Sequence, residues 1–320
     1  MNFSDLVDTS NWTGACTLPD VGVVEATGPD AAAFLHGQLS QDMLSLAVGH
    51  SALAAYCSAK GRMLASLWVQ RLDAERFALV LDQAILPATL KRLSMFVLRA
   101  QCKLRDASAD WRVLGTVAPV HHTFAAPWAD TPGQSLTGTG SRLGWAIVPE
   151  ADADALTSSP DTADPAVVWV SGAHWAWLSV LTGVPRITAN TIDQFVPQMV
   201  NMELIGGVNF QKGCYPGQEV VARSQYRGTT KRRLFLLEGV QPMQAGQEIF
   251  TPQEPEQPVG MVVNAAACPV LPQRWHALAE LKLSAQAAPL CLGHASGPSL
   301  SVRPLPYDVP TATASTGAAD

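Results

Sequence analysis

The sequence predicts an α+β protein with a separate small β-barrel at its C-terminal end. Strand-type and helix-type apolar patterns alternate in the residues before Leu234. From Leu234 onward only short apolar runs follow, with Gly or Pro between nearly all of them, which is typical of a small barrel. The chain has 320 residues, of which 48% are hydrophobic and 15% charged, so it can form two or three domains with a sizeable core.

The elements before residue 150 follow from apolar spacing. A helix after Thr27 carries Ala31, Phe34, Leu35 and Leu39 on one face, and a second helix carries an apolar stripe from Leu86 to Val97. Two β-prone runs flank residues 58–62 and predict a hairpin. We predict strands over residues 21–26, 53–57, 63–69, 77–81, 101–105, 112–117 and 143–148.

The next region contains two loop-like segments, a tryptophan cluster and then the barrel strands. Residues 125–140 and 153–165 are rich in small residues and proline, which predicts loops. Trp169, Trp175 and Trp177 precede a helix that ends at Gly183, and they are typical either of ordinary core or of a stacking wall for a flat heterocycle. We predict barrel strands over residues 234–237, 248–250, 259–263, 276–283, 290–292 and 300–302, and a disordered tail over 309–320.

Charge and cysteine usage limit the class of protein. The net charge of −6 argues against a wholly basic nucleic-acid binder, although residues 212–233 contain six basic residues and one acid. That run is typical either of a site for an anionic ligand or nucleic acid, or of a solvated strand edge. The six cysteines include no CxxC pair, so no metal site is predicted, and the adjacent His121 and His122 do not change this. Without a signal-like N-terminus or an apolar run of about 20 residues, we expect a reduced cytoplasmic protein with no membrane partner.

The most informative stretch is residues 209–223, which centre on Cys214. Gly213 and Gly217 permit a tight turn or a close backbone approach, and Lys212 places a cation near the thiol. A nearby cation and a following helix N-terminus both lower the pKa of a thiol, and thiolate is the reactive form. The residues after Pro216 fit a helix or a strand. Two interpretations remain: a reactive thiol, or a buried cysteine in a tight turn.

The motifs resemble those of the YgfZ-type folate-binding proteins, which are relatives of the aminomethyltransferase (T-protein) of glycine cleavage. The signature is Lys212-Gly213-Cys214-Tyr215-x-Gly217-Gln218-Glu219. Three further stretches agree, in order, at residues 28–38, 54–63 and 304–307. The four stretches together span almost the whole chain.

This resemblance implies an architecture and a set of site residues. The architecture is two interleaved ferredoxin-like α+β subdomains, residues 1–50 with 115–230 and residues 51–114, plus a barrel over 231–308, arranged around a central folate site. The expected cofactor is tetrahydrofolate or a one-carbon derivative, and the expected partners are iron–sulfur client enzymes, including tRNA-thiolating ones, or assembly proteins. Cys214 and Lys212 are the expected catalytic residues. Expected folate contacts are Trp175, Val21, Tyr215, Gln218, Glu219, Arg223 and Arg227.

The sequence departs from the aminomethyltransferase where that enzyme carries an acidic pair, because Ala65 and Ser66 stand there. We therefore expect no aminomethyl transfer, and folate-dependent ammonia release from a loaded lipoyl carrier would contradict this. One alternative is a folate-dependent one-carbon transferase with an unknown acceptor, for which Asp42, Glu203 and Glu219 are the acid–base candidates in sequence. Another is direct tRNA binding through the basic run, which the net acidic chain does not favour.

Overall fold

The computed structural model describes residues 7–119, 134–135, 141–158, 168–226 and 230–310. Arg227, the pair His121 and His122, and the tail after residue 310 therefore lie outside the described residues. Most of the predicted loop at residues 125–140 lies outside them as well.

Twenty-one helices and strands can be named in the described part of the chain. In chain order they are β1 (Trp12–Thr17), β2 (Val21–Thr27), α1 (Ala31–Gln38), β3 (Ser51–Cys57), β4 (Met63–Arg71), β5 (Arg76–Asp82), α2 (Leu86–Ser94), β6 (Lys103–Asp106), β7 (Trp111–Pro119), β8 (Gln134–Ser135), β9 (Ser141–Pro149), α3 (Ala153–Thr157), β10 (Val168–Trp169), α4 (Gly172–Leu181), α5 (Gln218–Tyr226), β11 (Arg232–Gly239), β12 (Glu248–Phe250), β13 (Gly260–Cys268), β14 (Leu271–Lys282), β15 (Leu290–Leu292) and β16 (Ser299–Arg303).

The strands form two open sheets and a closed barrel. The first sheet has the order β10-β1-β7-β9-β8 and the second has the order β3-β4-β5-β2-β6. The barrel closes through β11-β14-β13-β12-β15-β16. This mixed α+β architecture with a C-terminal barrel confirms the predicted fold class.

The second sheet buries both of its faces, and its sequence shows why. Successive side chains of a strand point to opposite faces. Phe77 and Leu79 of β5 therefore join the main core with Leu35 of α1, whereas Ala78 and Val80 join a smaller core with residues of the first sheet. The two sheets thus pack face to face, and helices cover the other side of the second sheet.

Sheet membership also bears on the predicted domain boundaries. Residues 1–50 were grouped with residues 115–230, but β2 pairs with β5 and β6 in the second sheet. Only β1, of the two N-terminal strands, pairs with β7. The boundaries stay a prediction, and the strand pairing favours moving residues 21–27 to the group formed by residues 51–114.

The barrel is tied to the rest of the chain by a buried polar contact. Asn201 accepts a hydrogen bond from Leu234 N at 3.3 Å and donates one to Leu234 O at 3.1 Å. Arg233 donates to Glu203 and to Gln198 O. The start of β11 is therefore fixed against residues 198–203. No helix among the described residues is long and apolar enough to cross a membrane.

Candidate functional site

A cavity of about 420 Å³ lies between the two sheets, with α4 along one side. Val21, Trp68 and Val80 contribute apolar side chains from the second sheet. Val113 and Trp145 face them from the first sheet. A cavity of this size with mostly apolar walls and a few polar groups is the usual form of a small-molecule site.

Trp175 of α4 forms part of the cavity wall and is held in one orientation. Its Nε1 donates a hydrogen bond to Gly144 O at 3.0 Å. The indole lies directly over Gly115, where an added Cβ would come within 2.4 Å of the ring. The glycine is therefore needed for the tryptophan to lie flat against β7. Trp68 and Trp145 add two further rings, with centroids 5.7 Å apart.

One end of the cavity is polar. Arg186 donates to the carboxylate of Asp20, and its Nε lies 3.7 Å from Oδ2 of Asp82. Burial raises the pKa of Asp82, and the nearby Arg186 opposes the shift. Sequence reasoning did not select either carboxylate. The available signal was the position of Asp82, a single acid that directly follows the apolar run at residues 77–81.

Ser66, one of the two residues expected from the resemblance to replace an acidic pair, also lines this cavity. Its hydroxyl accepts a hydrogen bond from Ile187 N at 2.9 Å. The serine therefore fixes the backbone next to Arg186. Ala65 points to the opposite face and is fully buried.

The Cys214 turn lies against the C-terminal end of α1. Lys212 is buried, and its Nζ donates to His36 O and, at 2.7 Å, to Leu39 O. These carbonyls lack partners within the helix, so the lysine satisfies them. The ammonium also lies 4.9 Å from the ring centroid of Tyr215. Burial lowers the pKa of Lys212 to about 8, while Asp42 and Cys214 act in the opposite direction.

Cys214 is exposed, whereas the other five cysteines are buried. The interpretation as a buried cysteine in a tight turn is therefore wrong. His36 lies beside this turn, and its Nδ1 is 2.9 Å from Asp42 Oδ1. The Nε2 of the same ring faces Gly213, where an added Cβ would be 3.3 Å away. The thiol thus lies on an accessible turn beside a lysine and a histidine–aspartate pair.

Gly217 sets the path of the chain after Cys214. Its φ is +79°, and an added Cβ would lie 2.4 Å from Ser58 O and 2.6 Å from the Cα of Gly61. Gly61 itself has a φ of +71°. The cysteine turn and the β3–β4 hairpin therefore meet backbone to backbone.

The residues after Gly217 form α5, so the helical alternative is correct, with Pro216 in the turn before it. Glu219 and Arg223 are exposed and pair with each other at 2.6 Å, one helical turn apart. Gln218, at the start of the helix, is half-buried.

The structure does not bring all of the expected site residues to one place. Trp175 and Val21 line the cavity. The cavity walls include none of the residues expected from the signature stretch, namely Lys212, Cys214, Tyr215, Gln218, Glu219 and Arg223. Their roles at a folate stay predictions. Among the described residues, no three His, Cys, Asp or Glu side chains are grouped closely enough to hold a metal ion.

Replacing Lys212 with methionine should change how stability depends on pH. The folded-state pKa is lowered from 10.5 to about 8, so above about pH 8 the unfolded state binds more protons and stability rises with pH. We expect this contribution to amount to roughly 3 kcal/mol between pH 8 and 10.5, at 1.36 kcal/mol per unit. In denaturant unfolding, the free energy of unfolding of Lys212→Met should not show this rise with pH. The control Lys60→Met, at an exposed position, should still show it. Parallel pH curves for both variants and the unaltered chain would contradict this.

Comparison with known proteins gives the family. No family model matches the chain. The tRNA-modifying protein YgfZ of Edwardsiella ictaluri is 33% identical over 236 residues, which cover 69% of this chain and 70% of that protein. The proteins of the same name from Klebsiella pneumoniae (34% over 236 residues, 70% and 71%) and Escherichia coli K12 (32% over 237 residues, 70% and 71%) agree. The chain belongs to the YgfZ family. The resemblance inferred from the four motifs is thereby confirmed, and the names of these YgfZ relatives associate the family with tRNA modification.

A solved structure supports the fold of this YgfZ-family chain. The glycine cleavage system aminomethyltransferase T of Bartonella henselae superposes with a TM-score of 0.64 at 17% identity, over 92% of this chain and 86% of that one. At this identity the likeness shows the fold alone.

Proposed function

We propose that this YgfZ-family protein binds a reduced folate, tetrahydrofolate or a one-carbon derivative, in the cavity between the sheets. We further propose that it acts as an accessory protein for iron–sulfur enzymes, including those that thiolate tRNA. The observation that carries the proposal is Trp175, held flat against Gly115 at the wall of a cavity of about 420 Å³.

The chemistry of the cavity fits a folate. A pterin is a flat heterocycle, and tryptophan faces provide large stacking surfaces for such rings. The apolar side chains of Val21, Trp68 and Val80 suit the ring, and Asp82 offers acceptors for its N–H groups. Arg186 is the cation in the lining. It would either pair with a carboxylate of the glutamate tail or balance the charges of Asp20 and Asp82. If the bound ligand is a one-carbon derivative, it would supply a one-carbon unit, whereas tetrahydrofolate itself would accept one.

Folate binding is tested by calorimetric titration with tetrahydrofolate. We expect saturable binding, and we expect Trp175→Ala to raise the Kd tenfold or more, about 1.4 kcal/mol, because the stacking surface is lost. Trp275→Ala is the matched control, since Trp275 packs against the barrel core and does not line the cavity. The absence of binding to the unaltered chain, or equal Kd values for the two variants, would contradict the proposal.

Cys214 is the proposed reactive group of the accessory function. Its thiol is accessible, while its neighbour Lys212 is engaged with the end of α1. Cys214→Ala should therefore lose function in a cell that lacks the protein, without loss of folding stability. Cys291→Ala, at a buried barrel position, should retain function. The measurement is the level of thiolated tRNA, and full activity of Cys214→Ala would refute the role.

The second candidate function is a folate-dependent one-carbon transferase. Such an enzyme needs an acid or base beside the ligand. None of the three carboxylates chosen from the sequence, Asp42, Glu203 and Glu219, lines the cavity, whereas Asp20 and Asp82 do. Turnover of methylene- or formyl-tetrahydrofolate by the purified protein, lost in Asp82→Asn, would favour this candidate over the accessory role.

Direct tRNA binding by the basic run receives little support from its charges. Arg223 pairs with Glu219, Arg232 with Glu280 and Arg233 with Glu203. These cations are therefore balanced within the chain, and phosphate contacts would have to displace the acids. We propose that the association with tRNA modification is indirect, through the enzymes that thiolate tRNA.

A further inference from the structure

The polar end of the cavity contains a carboxylate oxygen that is available to a ligand. Oδ1 of Asp82 accepts a hydrogen bond from Ala84 N at 3.1 Å. Oδ2 has the Nε of Arg186 at 3.7 Å, beyond hydrogen-bond distance, and accepts no hydrogen bond within the described part of the chain. The side chain is only 8% exposed. A buried carboxylate with free lone pairs is costly unless a partner arrives, so the site favours a ligand that donates N–H groups.

The strand register places this carboxylate beside the apolar wall. Asp82 lies directly opposite Val21 of β2, and Val80 lies opposite Trp68 of β4. Because residues two apart share a face, the side chains of Asp82 and Val80 point into the same cavity. A flat ring lying on Val21, Val80 and Trp68 would meet the carboxylate at its edge.

Arg186 leaves the carboxylate of Asp82 available because it is already paired elsewhere. Its guanidinium donates to Asp20, and its backbone N–H donates to Asn264 Oδ1 at 3.3 Å. The guanidinium of Arg186 remains close enough to balance the charge of Asp82, but it does not hydrogen-bond to Oδ2 of that carboxylate. The two acids therefore have different tasks: Asp20 holds the arginine, and Asp82 faces the ligand.

We propose that Asp82 selects the heterocycle by accepting hydrogen bonds from two adjacent N–H donors on its edge. The 2-amino-4-oxopyrimidine edge of a pterin has such donors, at its amino group and at the neighbouring ring nitrogen. A 2,4-dioxo ring of the same shape has a carbonyl oxygen in place of the amino group, and that oxygen would oppose the carboxylate. This inference rests on the proposed function for the identity of the ligand, and it adds the residue and the functional group that set its specificity.

The experiment measures binding of ligand fragments to the full-length protein. The probes are tetrahydrofolate, 6-methyltetrahydropterin, the matching tetrahydrolumazine, which is the 2,4-dioxo analogue, and p-aminobenzoyl-glutamate, which lacks the ring. For the unaltered chain we expect the tetrahydropterin to bind at least tenfold more tightly than the tetrahydrolumazine. Asp82→Asn retains an oxygen for the Ala84 N–H and should raise the Kd for tetrahydrofolate and tetrahydropterin tenfold or more. Its Kd for p-aminobenzoyl-glutamate should not change.

The control and the outcomes separate this inference from the proposed function. Asp106→Asn removes a carboxylate at the edge of the same sheet, away from the cavity, and should bind all probes like the unaltered chain. Equal binding of the pterin and lumazine rings by the unaltered chain would overturn the inference, and this measurement does not depend on the folding of any variant. Unchanged binding of tetrahydrofolate and tetrahydropterin by Asp82→Asn would also overturn it. Tetrahydropterin binding that depends on Asp82, without any tetrahydrofolate binding, would uphold the inference and overturn the proposed folate function. Failure of every ring to bind would overturn both.

Discussion

Gly217→Ala is expected to lower the free energy of unfolding by about 3 kcal/mol. The left-handed conformation of Gly217, with φ at +79°, costs an alanine about 1 kcal/mol. The new Cβ would also lie 2.4 Å from Ser58 O and 2.6 Å from the Cα of Gly61, which adds about 2 kcal/mol of overpacking. Both neighbours are backbone atoms of the hairpin turn, so neither can rotate away. Relief requires the cysteine turn to move off the hairpin.

Gly206→Ala is the matched control for this substitution. Gly206 has a φ of +76°, but no atom lies within 4 Å of its added Cβ. Its cost should therefore be the conformational part alone, about 1 kcal/mol. Denaturant unfolding of the two variants measures the difference, which reports the contact between the turn and the hairpin. Equal losses of stability would show that the contact is not rigid.

The sequence was most informative where the determinants of structure are local. The apolar spacing of α1 and α2 predicted both helices, and the Gly- and Pro-separated runs after Leu234 predicted the barrel. It was less informative where the local pattern is weak. Strand β1 was not predicted, because its residues alternate weakly and Gly14 interrupts them. Gly14 has a φ of +116°, and an added Cβ would also lie 2.7 Å from the indole of Trp169, so two features of the folded chain explain the glycine.

The candidate site was harder to predict because distant segments form it. The motif showed that Lys212 lies two residues before Cys214. It did not show that the ammonium of Lys212 would donate hydrogen bonds to carbonyls more than 170 positions earlier in the chain. Asp82 gave a weak signal for the same reason. The proposed role of Asp82 in ligand binding depends on its position beside Val21, Trp68 and Arg186, which come from three other parts of the sequence. Residue types in one stretch identify chemistry, whereas the cavity depends on strand register and sheet packing.

Arg233→Met is expected to destabilise the protein by about 4 kcal/mol, because it leaves a carboxylate buried without its partner. Arg233 and Glu203 are only 10% and 4% exposed, and the arginine also donates to Gln198 O at 3.1 Å. Burial raises the pKa of Glu203, while Arg233 lowers it, so removal of the arginine should raise it further. The contact joins β11 to residues 198–203. Its loss should weaken the attachment of the barrel to the rest of the chain.

The double variant Arg233→Met/Glu203→Gln tests whether the uncompensated charge causes this loss. It should recover a large part of the lost stability, because a neutral amide replaces the carboxylate. The pH dependence has a defined sign. A carboxyl group whose folded-state pKa is raised stabilises most below its unfolded pKa of about 4.3 and loses that contribution as pH rises. The deficit of Arg233→Met should therefore shrink toward pH 4 and be largest at pH 8, as measured by denaturant unfolding. A deficit that is independent of pH, with no recovery in the double variant, would assign the loss to packing of the arginine side chain instead.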